Sequence, residues 1–115
     1  MPVVHVYHHA VPAEVPRVLS RIRDRGAAAV GVPSERLWVL WHEVDRAHVC
    51  RPDWSIDHDA GPIVRVFCRR SHPRPRVDAL LRSLRQSLSL ELSCPERSVF
   101  VQAVRVDDED VINVE

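Results

Sequence analysis

The strongest constraint on this chain is that its two halves read alike. Pro2 to His9 (PVVHVYHH) is rich in β-branched and aromatic residues and reads as a strand. A helical segment follows from near Pro12 and Ala13, with Val15, Val18, Leu19 and Ile22 at the i, i+3, i+4, i+7 spacing of one buried face. Arg17, Arg21, Arg23 and Arg25 supply its polar side, and the small residues from Ala27 to Gly31 end it. Leu37 to Val44 reads as a second strand. The order then recurs: a strand at Pro62 to Arg70 (PIVRVFCRR), a helix faced by Val77, Leu80, Leu81, Leu84 and Leu88, and a strand at Val99 to Val106. The halves align as PVVHVYHH with PIVRVFCR, VPRVLSRIR with VDALLRSLR, and GVPSERLWV with SCPERSVFV. The spacing is about sixty residues and shifts by two at one loop.

Two such β-α-β units, each with a right-handed crossover between parallel strands, make an α/β fold. The expected architecture is a four-stranded sheet with both helices on one face. The chain reads as one domain, 1–115, built from repeats at 2–52 and 62–115 with a connector at 53–61. Both faces of the strands carry apolar side chains, Val3 against Val4 and Ile63 against Val64. A sheet apolar on both faces needs cover on both, and two helices cover only one. The sequence therefore predicts a homo-oligomer.

The chain has sixteen basic and sixteen acidic residues, so its net charge is zero. Neither nucleic acid nor an anionic membrane is an electrostatic partner for such a chain. All the basic residues are arginine, which removes lysine Schiff bases and lysine general bases from the possible chemistry. Cys50, Cys68 and Cys94 are odd in number and widely spaced, which argues against a disulfide framework. No apolar run is long enough to cross a membrane and no signal peptide is evident, so the expected location is cytoplasmic.

Met-Pro opening a duplicated β-α-β pattern resembles the tautomerase superfamily. Its members include the single-unit 4-oxalocrotonate tautomerase and the fused two-unit malonate semialdehyde decarboxylase and cis-3-chloroacrylic acid dehalogenase. The resemblance covers nearly the whole chain. It implies a trimer of fused chains, and a catalytic N-terminal proline exposed when the initiator methionine is removed. Pro2 matches that position. GVPSER (Gly31 to Arg36) is similar to the decarboxylase loop that carries a catalytic aspartate, which places Glu35 at that position. FCRRSHPRPR (Phe67 to Arg76) is similar to the turn in which two arginines hold the substrate carboxylate. Arg70 or Arg69 would be the first of that pair, depending on the placement of one gap, and Arg74 the second. The chain departs from the pattern elsewhere. Pro12 and Trp38 stand where the single-unit enzymes carry arginines, Val49 where they carry the pocket phenylalanine, and Gln102 where the dehalogenase carries a tyrosine.

A free N-terminal proline is a secondary amine, and an ordinary α-amino group has a pKa of roughly 7.7–8.0. Burial and nearby arginines disfavour its charged form. A neutral amine is a general base for a proton beside a carbonyl, or attacks the carbonyl to form an iminium; a protonated one is a general acid. The substrate class implied is a small carboxylate bearing a carbonyl or a double bond. The leading reaction is keto–enol tautomerisation. The alternatives are decarboxylation or hydration of a 3-oxo or semialdehyde acid, or a non-catalytic relative kept for binding or assembly. No cofactor is required.

Other features carry a plainer reading beside the functional one. Pro2 alone is a tolerated strand start, and Glu35 reads equally as an exposed loop acid. Arg74 and Arg76 read as solvated loop residues. Strand alternation turns one of Arg69 and Arg70 inward and the other outward. Trp38 and Trp41, three apart, face opposite sides; with Phe67 they are candidate apolar walls for the substrate. His5, His8, His9, His42, His48 and Cys50 match no zinc spacing, so no metal is expected. The acidic tail from Asp107 to Glu115 reads as a solvated extension, or as a segment that contacts the arginines of a neighbouring subunit.

Overall fold

The computed structural model describes residues 2–51 and 61–112. Met1, most of the connector expected at 53–61, and the last three residues of the acidic tail lie outside them. Strand β1 (Val3–His8) leads into helix α1 (Val15–Val30) and strand β2 (Trp38–Glu43). Strand β3 (Ile63–Arg69), helix α2 (Arg74–Leu92) and strand β4 (Phe100–Val106) repeat that order. Each strand begins or ends within a residue or so of where β-branched patterning placed it.

The two helices begin and end by the same devices. Pro16 in α1 and Pro75 in α2 sit in the first turn, where a missing N–H costs nothing. Gly31 (φ 78°) and Ser93 (φ 52°) end them in the left-handed conformation. Glycine adopts that conformation freely, whereas for serine it costs roughly 1–2 kcal/mol. At Ser93 the turn is tied by Ser89 Oγ donating to the Cys94 carbonyl at 2.6 Å.

The sheet order is β2-β1-β3-β4. The outer pairs, β1 with β2 and β3 with β4, are parallel, as crossovers through a helix require. The units meet at the central pair, β1 against β3, which is antiparallel. In that register His5 pairs with Arg65, its own counterpart in the repeat. An approximate twofold axis therefore passes between these two residues. It exchanges Pro2 with Pro62 and His8 with Cys68.

Both helices pack on one face of the sheet. The core there is Val4, Val6, Val64 and Val66 from the central strands, with Val18, Ile22, Leu80, Leu84 and Leu88 from the helices. Gly26 lets α1 approach closely: a Cβ there would stand 2.8 Å from Leu37 Cδ2 and 3.2 Å from Leu80 Cδ1. Across the helix tops, Arg21 grips Glu91 with two bonds of 2.7 Å, and Arg25 reaches the same carboxylate at 3.4 Å.

Among the described residues no helix covers the other face. Its apolar side chains stay open, with Trp38 44%, Leu40 36%, Ile63 38% and Phe100 54% exposed. The same face also carries polar side chains that apolar patterning alone does not reveal. His5 Nδ1 lies 2.8 Å from His42 Nε2, and Tyr7 stacks on His42 with ring centres 4.6 Å apart. Phe67 meets His5 edge-on at 5.4 Å. Among the described residues no helix is long and apolar enough to cross a membrane.

Candidate active site

Pro2 is buried immediately before β1, where its carbonyl accepts from the Trp38 N–H at 3.2 Å. The antiparallel register of β1 and β3 brings Pro2 opposite Cys68, at the end of β3 where the chain turns into α2. A small cavity of about 10 Å³ opens there, lined by Pro2, Val30, Cys68, His72, Arg76, Val77 and Leu80. That is room for about one water. Its exposed wall is almost wholly apolar.

The turn that carries His72 is pinned from β4. One guanidinium nitrogen of Arg105 donates to the carbonyls of Arg70, at 2.8 Å, and His72, at 2.5 Å. The His72 N–H donates to the Arg69 carbonyl at 3.1 Å. Burial holds the His72 pKa below its ordinary value, and the positive charges of Arg105, Arg76 and Arg69 press it the same way. The imidazole is thus neutral near pH 7. Burial pushes the Cys68 thiol up, against the pull of Arg105 and Arg74. It therefore stays protonated and a poor nucleophile.

The arginines singled out in the sequence are dispersed. Arg70 is exposed and donates to Asp107 at 2.7 Å. Arg74 is exposed and pairs with Asp78 one turn along α2, at 3.3 Å. Arg69 lies on the open face of the sheet, 3.8 Å from Asp108, and its Nε is buried without a hydrogen-bond partner among the described residues. The acidic tail thus meets arginines of its own chain rather than only those of a neighbour. None of these three lines the cavity beside Pro2; Arg76, exposed as its solvated reading expects, also borders it.

Glu35 and Trp38 belong to a second depression, a groove of about 390 Å³ between α1 and the outer edge of β2. Arg23, Leu37 and Leu40 share it. Trp41 turns to the helix side and packs against the core, with its indole N–H buried and unpaired among the described residues. Phe67 lies on the open face. Among the described residues no group of three or more His, Cys, Asp or Glu side chains is placed to hold a metal.

The architecture matches solved structures along almost its full length. A fused 4-OT that forms an asymmetric trimer superimposes with a TM-score of 0.83 over 96% of this chain and 91% of its own, at 18% identity. The fold is that of the tautomerase superfamily. A member of the cis-3-chloroacrylic acid dehalogenase family matches at 0.77 over 96% of this chain and 79% of its own, with 14% identity. Malonate semialdehyde decarboxylase matches at 0.71 over 100% and 91%, with 13% identity. No family model and no curated protein matches the sequence. Within the tautomerase fold, the residues near Pro2 that sequence reasoning did not single out are His72 and Arg105. They were findable only through the pairing of β1 with β3, which sets the whole β3–α2 turn beside Pro2.

Proposed function

We propose that this chain is a tautomerase-superfamily enzyme in which Pro2, once Met1 is removed, acts as general base or acid on a small carbonyl-bearing or unsaturated carboxylic acid. The observation that carries the proposal is the burial of Pro2 beside His72 and Arg76 in a fused β-α-β fold. Keto–enol tautomerisation fits best, because it needs only a proton moved between carbon and oxygen. An amine in an apolar pocket near a guanidinium is favoured in its neutral form. On this reading Arg76, which borders the same cavity, holds the substrate carboxylate and stabilises an enolate as charge develops. Decarboxylation assisted by Glu35 has less support, since Glu35 lines the β2 groove and not the Pro2 cavity.

This reading takes 1–115 as one domain of two repeats, 2–52 and 62–115, acting without a cofactor. It also takes the open sheet face as the surface on which three copies meet, as the trimeric fused 4-OT suggests. Removal of the methionine is the first requirement, because the Pro2 nitrogen is an amide while Met1 is attached. Mass spectrometry of the purified protein should show a chain beginning at Pro2. A Pro2→Ala variant should then lose most of its activity on phenylenolpyruvate-like enols and 3-oxo acids. Retained methionine, or equal activity in parent and variant, would overturn the proline mechanism.

A further inference from the structure

We propose that the open sheet face joins copies of this chain only while its His5–His42 pair is neutral, so that acid separates the copies. The proposal rests on the reading above that copies meet on this face, and adds what regulates the contact. The occupant is a second copy because the fused 4-OT of the same fold is a trimer. The chain's zero net charge also leaves copies free of mutual repulsion near neutral pH.

The strand registers set the pair among the side chains that a second copy would cover. They place His5 between Leu40 and Arg65, and Tyr7 between His42 and Ile63. His5, Tyr7 and His42 are each half-buried in the single chain. His5 Nδ1 and His42 Nε2 stand 2.8 Å apart, a gap that holds one hydrogen and not two. Two neutral rings meet that condition, one nitrogen donating and the other accepting. One added proton leaves a positive charge on the pair. A second puts a hydrogen on both facing nitrogens and breaks the bond.

Nothing on the strands of this face offsets that charge. Tyr7 from β1 stacks on His42, and from β3 Phe67 meets His5 edge-on while Arg65 stands opposite it. Gln102 of β4 lies beyond Arg65. Both helices pack on the reverse of the sheet. The strand positions of the open face hold no aspartate or glutamate. Asp108 pairs with Arg69 at the other end of the face, and past Tyr7 the ring of His9 meets Arg46. Burial already holds the His5 pKa below its ordinary value, with the charge of His42 pressing the same way. Cover by a second copy deepens that burial, and a charged imidazole is costly to bury without a partner. Separated chains therefore take up protons that assembled chains refuse. Assembly is strongest above the ordinary histidine value of roughly 6.5. Below it the dissociation constant rises by up to about tenfold per pH unit for each proton taken up.

The test is sedimentation equilibrium of the parent and of the double variant His5→Gln/His42→Gln at pH 7.5 and pH 5.5, with far-UV circular dichroism following the fold. The parent's dissociation constant should rise about tenfold between the two, and the variant's by less than about threefold. His8 titrates alike in both proteins, so the difference between them reports the pair. An equal rise in the two, or no rise in the parent, overturns the proposal and leaves the assembly standing. A parent that is monomeric at pH 7.5 sinks the assembly reading beneath it as well. Should the variant fail to fold or to assemble, NMR of the parent decides. The His5 and His42 ring resonances should titrate across the pH interval in which the chains separate, and rings that take up protons within an intact assembly refute the proposal.

Discussion

His8 makes the stability of this fold depend on pH in a way that can be calculated. It ends β1 on the helix side of the sheet, with only 7% of its surface exposed. Burial lowers its pKa from 6.5 to about 4, with His9, Arg51 and Arg46 adding to the effect. At about 1.36 kcal/mol for each pKa unit, that fall corresponds to roughly 3 kcal/mol between the two protonation states. Solvent screening at the strand end reduces it to about 2–3 kcal/mol. The sign follows from linkage. Below pH 6.5 the unfolded chain binds a proton at residue 8 that the folded chain refuses, so stability falls as pH falls. The loss begins near pH 6.5, reaches about 2 kcal/mol by pH 5, and is complete just below pH 4. Against a typical total of about 5–15 kcal/mol, this is a large share. The assay is urea denaturation at fixed protein concentration, at pH 7.5 and pH 5, on the parent and on His8→Leu. The difference between the two pH values should be about 2 kcal/mol smaller in the variant, whatever its absolute stability. Equal pH dependence in the two proteins would show that His8 carries its proton in the fold and that the burial argument is wrong.

Two further predictions concern packing and charge. Gly61→Ala should destabilise the fold by about 1–3 kcal/mol, read as a lower urea midpoint, because a Cβ there would meet Ser98 Oγ at 2.8 Å, Val99 Cγ2 at 2.9 Å and the Ser98 backbone at 3.0 Å. Glu91→Gln should cost about 0.5–1 kcal/mol at pH 7; since the Arg21 hydrogen bond holds the Glu91 pKa below its ordinary value, the difference between parent and variant should fade as pH drops through the acid range.

The fold was legible because its signals are periodic. Alternating β-branched residues and paired helix stripes recur in both halves, so each half confirmed the other's boundaries. Val15, Leu19 and Leu81 lie at the margins of their helix stripes and are only half-buried, while Gly26 and Ser87, which no hydrophobic pattern selects, are buried. The candidate site was legible only in part. Pro2 stood out because of its place in the chain, but its neighbours are set by the antiparallel meeting of β1 and β3, a long-range pairing that periodicity does not encode. Arg70 and Arg74 were pointed to by the family resemblance of the turn after β3, and each is exposed beside an acid of its own chain, Asp107 and Asp78. Arg76, two residues beyond Arg74, has rotated about half a turn around α2 and faces the cavity instead.

The near-twofold relation between the halves has a consequence for stoichiometry. Pro62 repeats the station of Pro2 down to its backbone, its carbonyl accepting from the Phe100 N–H at 3.1 Å as that of Pro2 accepts from Trp38 at 3.2 Å. Yet the nitrogen of Pro62 is locked in a peptide bond and has no lone pair to offer. On the reading of Pro2 proposed above, a chain of two like halves therefore carries one reactive amine, not two, and any assembly of it holds as many such ends as chains. The far end has taken up structural work instead: Arg51 donates to the Gly61 carbonyl at 2.7 Å and the Ser98 carbonyl at 3.2 Å, sealing the corner beside Pro62. If Pro2 is the reactive group proposed above, substitutions near Pro62 should register in thermal melts, and those near Pro2 in turnover.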